Sequence, residues 1–81
     1  MSAEQARALL AELIGEPLAA GLDARADLVA AGVNSGDVVR LALLVEQRFG
    51  ADLSTEDLEG LRSLDAVESL LDRLGRRDGH R

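Results

Sequence analysis

Serine, histidine and acidic residues are the side chains of this 81-residue sequence that could do chemistry. A serine nucleophile needs a base beside it, and histidine is the usual one. The single histidine, His80, lies in the C-terminal segment RRDGHR, which has no apolar residue to anchor it on a folded core. Self-contained nucleophilic catalysis is therefore not expected.

The sequence also lacks residue patterns suited to metal binding or to phosphate binding. The sequence has no cysteine, so any thiol that its function needs must come from another molecule. It also has no glycine-rich phosphate loop after a strand. The acidic cluster Glu56, Asp57 and Glu59 is interpreted as a solvated helix start, because carboxylates favour the positive end of a helix. No metal site is predicted.

Charge and hydropathy narrow the classes of partner. The formal net charge of −6 repels nucleic-acid phosphates, and no basic stripe offsets it. No apolar run approaches the roughly 18 residues of a membrane span, and the N-terminus lacks a signal-peptide pattern. We expect a cytoplasmic protein that binds neither nucleic acid nor membrane.

Ser35, in the stretch AGVNSGDVVR, is the hydroxyl best placed for covalent modification. It lies at the junction of a long loop and a strongly apolar helical segment, and Gly36 after it would let another molecule approach the backbone. An ordinary helix start also selects asparagine or serine for capping, so Asn34 or Ser35 could serve that purpose alone. The local residues favour the cap and leave the modification open.

The apolar periodicity predicts an all-α fold with three longer helices, a short third helix and a long structured loop between the first two. The first helix should begin with a Ser2 and Gln5 capping box and end before Gly15 and Pro17. The loop should pack over the helices through four apolar residues: Leu18, Leu22, Leu28 and Val33. The first predicted helix spans about residues 3–14, and the second spans 35–49 and ends at Gly50. A short third helix is capped by Ser54 or Thr55. The last helix begins at its cap, Ser63, and ends at Gly75.

The second helix has two distinct faces at 100° per residue. Its core stripe consists of Val38, Leu41, Ala42, Val45 and Phe49. The opposite side carries Gly36, Val39, Arg40, Leu43 and Gln47, so that two apolar residues point outward along the route from Ser35.

The stretch DLVAAGVNSGDVVRLALLVEQRFGADLSTEDLEGLRSLDAVESLL resembles the acyl carrier and peptidyl carrier protein family. Asp27-Leu28 and Gly32 precede the position of the family's Asp-Ser-Leu motif, and Ser35 occupies the place of its serine. The second helix ends with Glu46, Phe49 and Gly50, as the family pattern requires.

The resemblance implies a four-helix bundle, and the carrier domain is expected to span residues 1–74. Residues 75–81 are expected to form a disordered tail, because RRDGHR has no apolar residue to bury. It also implies 4′-phosphopantetheine attached to Ser35, flanked by Asn34 and Gly36, whose thiol holds acyl or aminoacyl groups as thioesters. A separate phosphopantetheinyl transferase would attach this arm from coenzyme A. A loading enzyme and downstream synthase, condensation or tailoring enzymes would act on the cargo, and the carrier would be a discrete, non-catalytic monomer.

The motif departs from the family in reading Asn34-Ser35-Gly36, and the second helix is less acidic than in fatty-acid carriers. These departures favour a specialised polyketide or nonribosomal-peptide pathway. The predicted partner surface consists of Asp37, Val39, Arg40, Leu43, Glu46 and Gln47. The alternatives are a fatty-acid carrier and a helical interaction module that is never modified; a small DNA-binding domain is weaker, since the charge opposes it.

Overall fold

The computed structural model describes residues 3–79, with side chains described for 3–75. Every regular element in this range is helical, which confirms the predicted all-α class. The five helices are α1 (Glu4–Ile14), α2 (Glu16–Ala20), α3 (Ser35–Phe49), α4 (Thr55–Glu59) and α5 (Leu64–Gly79). Helix α1 packs against α2, α3 and α5, and α3 also packs against α5.

The core is aliphatic and is supplied by every long helix. The largest of the almost completely buried apolar side chains are Leu10, Leu28, Leu41, Val45, Leu64, Val67 and Leu71. Of the predicted core stripe of α3, Leu41, Ala42 and Val45 are buried, whereas Val38 and Phe49 at its two ends are half-buried. The 3.6-residue periodicity therefore placed the inner face of α3 correctly.

Helix α2 lies in the segment that the sequence predicts to be loop. Gly15, with φ at +94°, ends α1 and lets the chain turn at once into α2, whose first turn contains Pro17. Proline is compatible with the first turn of a helix because its missing N–H would have no intrahelical partner there. Pro17 thus contributes to the start of α2 as well as following the end of α1.

The rest of the long segment between α1 and α3 is hydrogen-bonded to the residues around the start of α5. The N–H of Leu28 donates to the carbonyl of Arg62 at 2.7 Å, and the N–H of Asp65 donates to the carbonyl of Ala24 at 2.9 Å. Leu28 and Val33 are buried and Leu22 is half-buried, as expected for a packed segment. Leu18 departs from that expectation, since 66% of it is exposed.

The amino end of α1 is capped differently from the prediction. Ala3 is the N-cap of α1 and provides no side-chain hydrogen bond; Ser2 lies outside the described residues. Instead, Glu68 of α5 caps α1, because its two carboxylate oxygens accept from the backbone N–H of Ala6 at 2.8 Å and from Gln5 Nε2 at 3.0 Å. This contact joins the negative carboxylate to the positive end of α1 and fixes α5 against it.

Helix α5 begins as predicted and continues further than predicted. The Ser63 hydroxyl accepts from the N–H of Ala66 at 3.1 Å, which confirms Ser63 as the cap. The helix then passes through Gly75 and reaches Gly79, so the predicted end at Gly75 is wrong. The last two residues of the predicted disordered tail lie outside the described residues, and the domain boundary at 74 stays a prediction.

Candidate functional site

The amino end of α3 is built by Asn34. Its backbone is extended (φ −65°, ψ 138°), and its side-chain oxygen accepts from the N–H of Gly36 at 2.7 Å. The Asn34 carbonyl accepts from Asp37 at 2.9 Å, which begins the helical hydrogen bonding. Asn34 is therefore the cap, and Ser35 is the first residue of the helix.

The hydroxyl of Ser35 is available for a covalent reaction. The residue is exposed, and its hydroxyl has no hydrogen-bond partner within the part of the chain that the structure describes. Because Asn34 already satisfies the helix start, the hydroxyl can be used for covalent chemistry without loss of the cap. Asn34 therefore accounts for the cap, and the modification of Ser35 stays a prediction.

Gly36 leaves the surface beside Ser35 open and is matched to the Asn34 cap. A Cβ atom added at Gly36 would lie 3.1 Å from Asn34 Oδ1, closer than almost all such contacts in proteins. A side chain here would push the asparagine by a few tenths of an ångström. Substitution of Gly36 would therefore require a small shift of the capping side chain.

The electrostatics of this end of α3 suit a phosphate ester. Ser35 lies at the amino end of α3, where the helix dipole is positive, so a negative charge on its oxygen is stabilised. Asp37 is the one acid in the first turn, and its carboxylate lies 3.4 Å from Arg40 Nη1. Arg40 partly offsets the repulsion that Asp37 would exert on a phosphate.

The predicted outward face of α3 is exposed in the structure. Val39 and Leu43 are 61% and 53% exposed, and Arg40 and Gln47 are also exposed. Glu46, which the sequence also assigned to this surface, is half-buried, and its carboxylate accepts from the N–H of Leu53 at 2.9 Å. Glu46 thus holds the turn after α3, so its charge is partly used within the chain.

Ser54 caps α4, as one of the two predicted caps, and Asp57 is the member of the acidic cluster that completes a capping box with it. The Ser54 hydroxyl accepts from the N–H of Asp57 at 3.1 Å, and the Asp57 carboxylate accepts from the N–H of Ser54 at 3.2 Å. The bond from the Ser54 backbone is the main cause that lowers the pKa of Asp57, and Arg73 adds to it. Within the part of the chain that the structure describes, no group of acidic or histidine side chains could hold a metal ion; His80 lies outside it.

A groove beside Ser35 was not foreseen from the sequence. It is bounded by the last turn of α1, by α2 and by residues 31–34, and Asn34 and Asp37 are among the residues that line it. The signal that could have indicated it is Leu18, a large apolar residue directly after Glu16-Pro17, a pair typical of a helix start.

A model of the phosphopantetheine attachment site family matches residues 4–71. The chain belongs to this family. The match runs from α1 through the first half of α5 and includes the capped amino end of α3. No curated protein and no solved structure matches the chain.

Membership establishes the general function of this carrier protein. Its cofactor is covalently attached 4′-phosphopantetheine, which supplies the thiol that a chain without cysteine lacks. The carrier is not itself catalytic; it carries thioester intermediates for enzymes, and it interacts with a phosphopantetheinyl transferase and with partner enzymes. No helix of residues 3–79 is long and apolar enough to cross a membrane.

Proposed function

We propose that Ser35 carries the arm and that the chain is a four-helix-bundle carrier, with α2 as an addition, in a specialised polyketide or nonribosomal-peptide pathway. The observation that supports the site is the exposed, unpaired Ser35 hydroxyl at the first position of α3, beside a residue without a side chain. Asn34 caps the helix independently of this hydroxyl. Ser54 and Ser63, by contrast, use their hydroxyls as caps.

Attachment requires only a nucleophilic oxygen from the carrier. The transferase removes the proton of the Ser35 hydroxyl, and the oxygen forms a bond to the phosphorus that bears pantetheine in coenzyme A. The pyrophosphate P–O bond breaks, and the nucleotide part of coenzyme A leaves. The new phosphodiester then lies at the positive end of α3, where the helix stabilises its charge.

The surface of α3 favours a specialised pathway over fatty-acid synthesis. Its exposed residues beyond Ser35 are apolar or basic at Val39, Arg40 and Leu43. Its two acids are both engaged, Asp37 with Arg40 and Glu46 with the Leu53 backbone. A partner enzyme that docks on this face would meet apolar surface and one cation in place of a dense acidic stripe.

The proposed carrier function is tested by intact-mass measurement after incubation with coenzyme A and a broad-specificity phosphopantetheinyl transferase. We expect the mass to rise by one phosphopantetheinyl group, and fragmentation to place that group on the peptide containing Ser35. Absence of any gain with several transferases would contradict the proposal. The same assay with acyl-coenzyme A substrates would show whether the arm arrives already loaded.

Charge reversal at Arg40 tests the partner surface. Arg40→Glu should lower the rate of loading and transfer by the cognate enzymes about tenfold or more, since like charges across an interface cost more than the ~1.4 kcal/mol that corresponds to tenfold. Arg25→Glu makes the same change in net charge at an exposed residue away from α3. Equal rates for both variants and the native carrier would remove Arg40 from the partner surface.

A further inference from the structure

The groove beside Ser35 has a volume of about 300 Å³, at the small end of the range for small-molecule sites in proteins. Its walls are mainly apolar and come from the end of α1, from α2 and from the segment before α3; the side chains that matter most are Leu13, Ile14, Leu18, Leu22 and Val33. Asn34 and Asp37 supply the polar side chains of its lining. This composition matches that of a site for a largely apolar ligand with a few polar atoms.

The walls of the groove are held in place by hydrogen bonds from outside it. Arg7 Nη1 donates to the carbonyl of Ala19 at 2.6 Å and to that of Leu22 at 2.7 Å, so the guanidinium ties the end of α2 to α1. On the other side, the N–H of Val33 donates to the carbonyl of Leu28 at 2.9 Å. The groove is therefore a standing feature of the fold, and a ligand need not create it.

The apolar surface of the groove is incompletely covered by the chain itself. Leu18 is 66% exposed, and Leu13, Ile14 and Leu22 are only half-buried. Covering such surface with an apolar group is favourable in proportion to the area removed from water. A chain that lies along these residues would complete their burial.

The position of the groove indicates which molecule can use it. Asn34 immediately precedes Ser35 and Asp37 follows it by two residues, so the groove extends to the turn of α3 that carries Ser35. A group tethered to that turn meets the groove at an effective concentration of about millimolar, which makes even weak binding sufficient. A free ligand of equal affinity would have no such advantage.

We infer that this groove receives the end of the pantetheine arm and a short, uncharged apolar acyl chain held on it as a thioester. The inference rests on the proposed attachment at Ser35. The Asp37 carboxylate in the lining disfavours an anionic cargo, and the volume of about 300 Å³ favours a short chain. The cargo is thus held along the outside of the helices, against α1 and α2, and the packed aliphatic core stays intact.

The experiment compares the carrier bearing a free arm with the carrier bearing a hexanoyl arm, both prepared with a transferase and the corresponding coenzyme A. We expect nuclear Overhauser contacts from the hexanoyl methyl group to the methyl groups of Leu18, Leu22 and Val33. Backbone amide shifts between the two forms should be largest over residues 18–22 and 31–34. Contacts to Val45 and Val67 in the core, or no contacts to the protein, would overturn the inference.

A matched pair of variants separates the groove from the rest of the surface. Leu18→Asn should lose the hexanoyl contacts, whereas Leu58→Asn should retain them, because Leu58 is 45% exposed on α4 and does not line the groove. Both side chains are exposed and lie outside the buried core, so both variants should fold. Equal retention of contacts in both would contradict the inference, and a chain that accepts no arm from any transferase would overturn the proposed function together with it.

Discussion

Replacement of Ser35 by alanine should abolish attachment of phosphopantetheine and leave the fold unchanged. The hydroxyl oxygen is the nucleophile, and alanine offers none. The hydroxyl has no partner among the described residues, and the Asn34 cap that begins α3 does not depend on it. The free energy of unfolding should therefore change by no more than about 0.5 kcal/mol, as for an ordinary surface substitution.

The measurement combines intact mass with chemical denaturation of the same samples. Ser69→Ala is the matched control, because Ser69 is an exposed serine within α5 and removes a hydroxyl without touching a cap. It should accept one arm, as the native chain does. An arm found on Ser35→Ala would show that another serine is the attachment site, and a large loss of stability would show that Ser35 has a structural role.

The sequence predicted α3 well because the signals that define it are local. Asn34 begins the helix through a contact two residues away, and Gly50 ends it with φ at +61°, a conformation that glycine adopts without strain. The apolar stripe between them has a helical period. The place of Ser35 at the first turn follows from these features alone, and so does the outward direction of Val39 and Leu43.

The features that were missed depend on contacts between distant parts of the chain or on weak local preferences. Helix α2 is one short turn without apolar periodicity, and the hydrogen bonds of Arg7 to its last carbonyls come from α1. The cap that Glu68 places on α1 joins residues 62 positions apart. Gly75 does not end α5, because a glycine within a helix costs only about 1 kcal/mol and can be accommodated.

The groove belongs to the same class of features. Its walls come from α1, α2 and the segment before α3, and no local pattern shows that these pieces lie side by side. The sequence identifies Leu18 and Leu22 as apolar, yet only the arrangement of α2 against α1 leaves the first exposed and the second half-buried. A site residue can therefore be named from local signals, whereas the surface that surrounds it requires the fold.

Two leucines on α3 should differ sharply in their contribution to stability. Leu41 is completely buried and Leu43, two residues along, is 53% exposed. Leu41→Ala leaves a cavity in the core and should lower the free energy of unfolding by about 2–5 kcal/mol. Leu43→Ala removes a similar side chain from the surface and should cost no more than about 0.5 kcal/mol.

The difference between the two leucines matters for function because α3 contributes both to the core and to the proposed partner surface. A domain of this size has a free energy of unfolding of roughly 5 kcal/mol, so Leu41→Ala should remove much of it and reduce attachment through loss of the folded α3. Leu43→Ala should accept the arm at the native rate and be impaired only in transfer to partner enzymes. Urea denaturation, with equal m values for the two variants, measures the loss of stability separately from the loss of transfer. Equal losses of stability would show that the two faces of α3 have been assigned wrongly. The direction in which the arm and its partners approach would then be wrong as well.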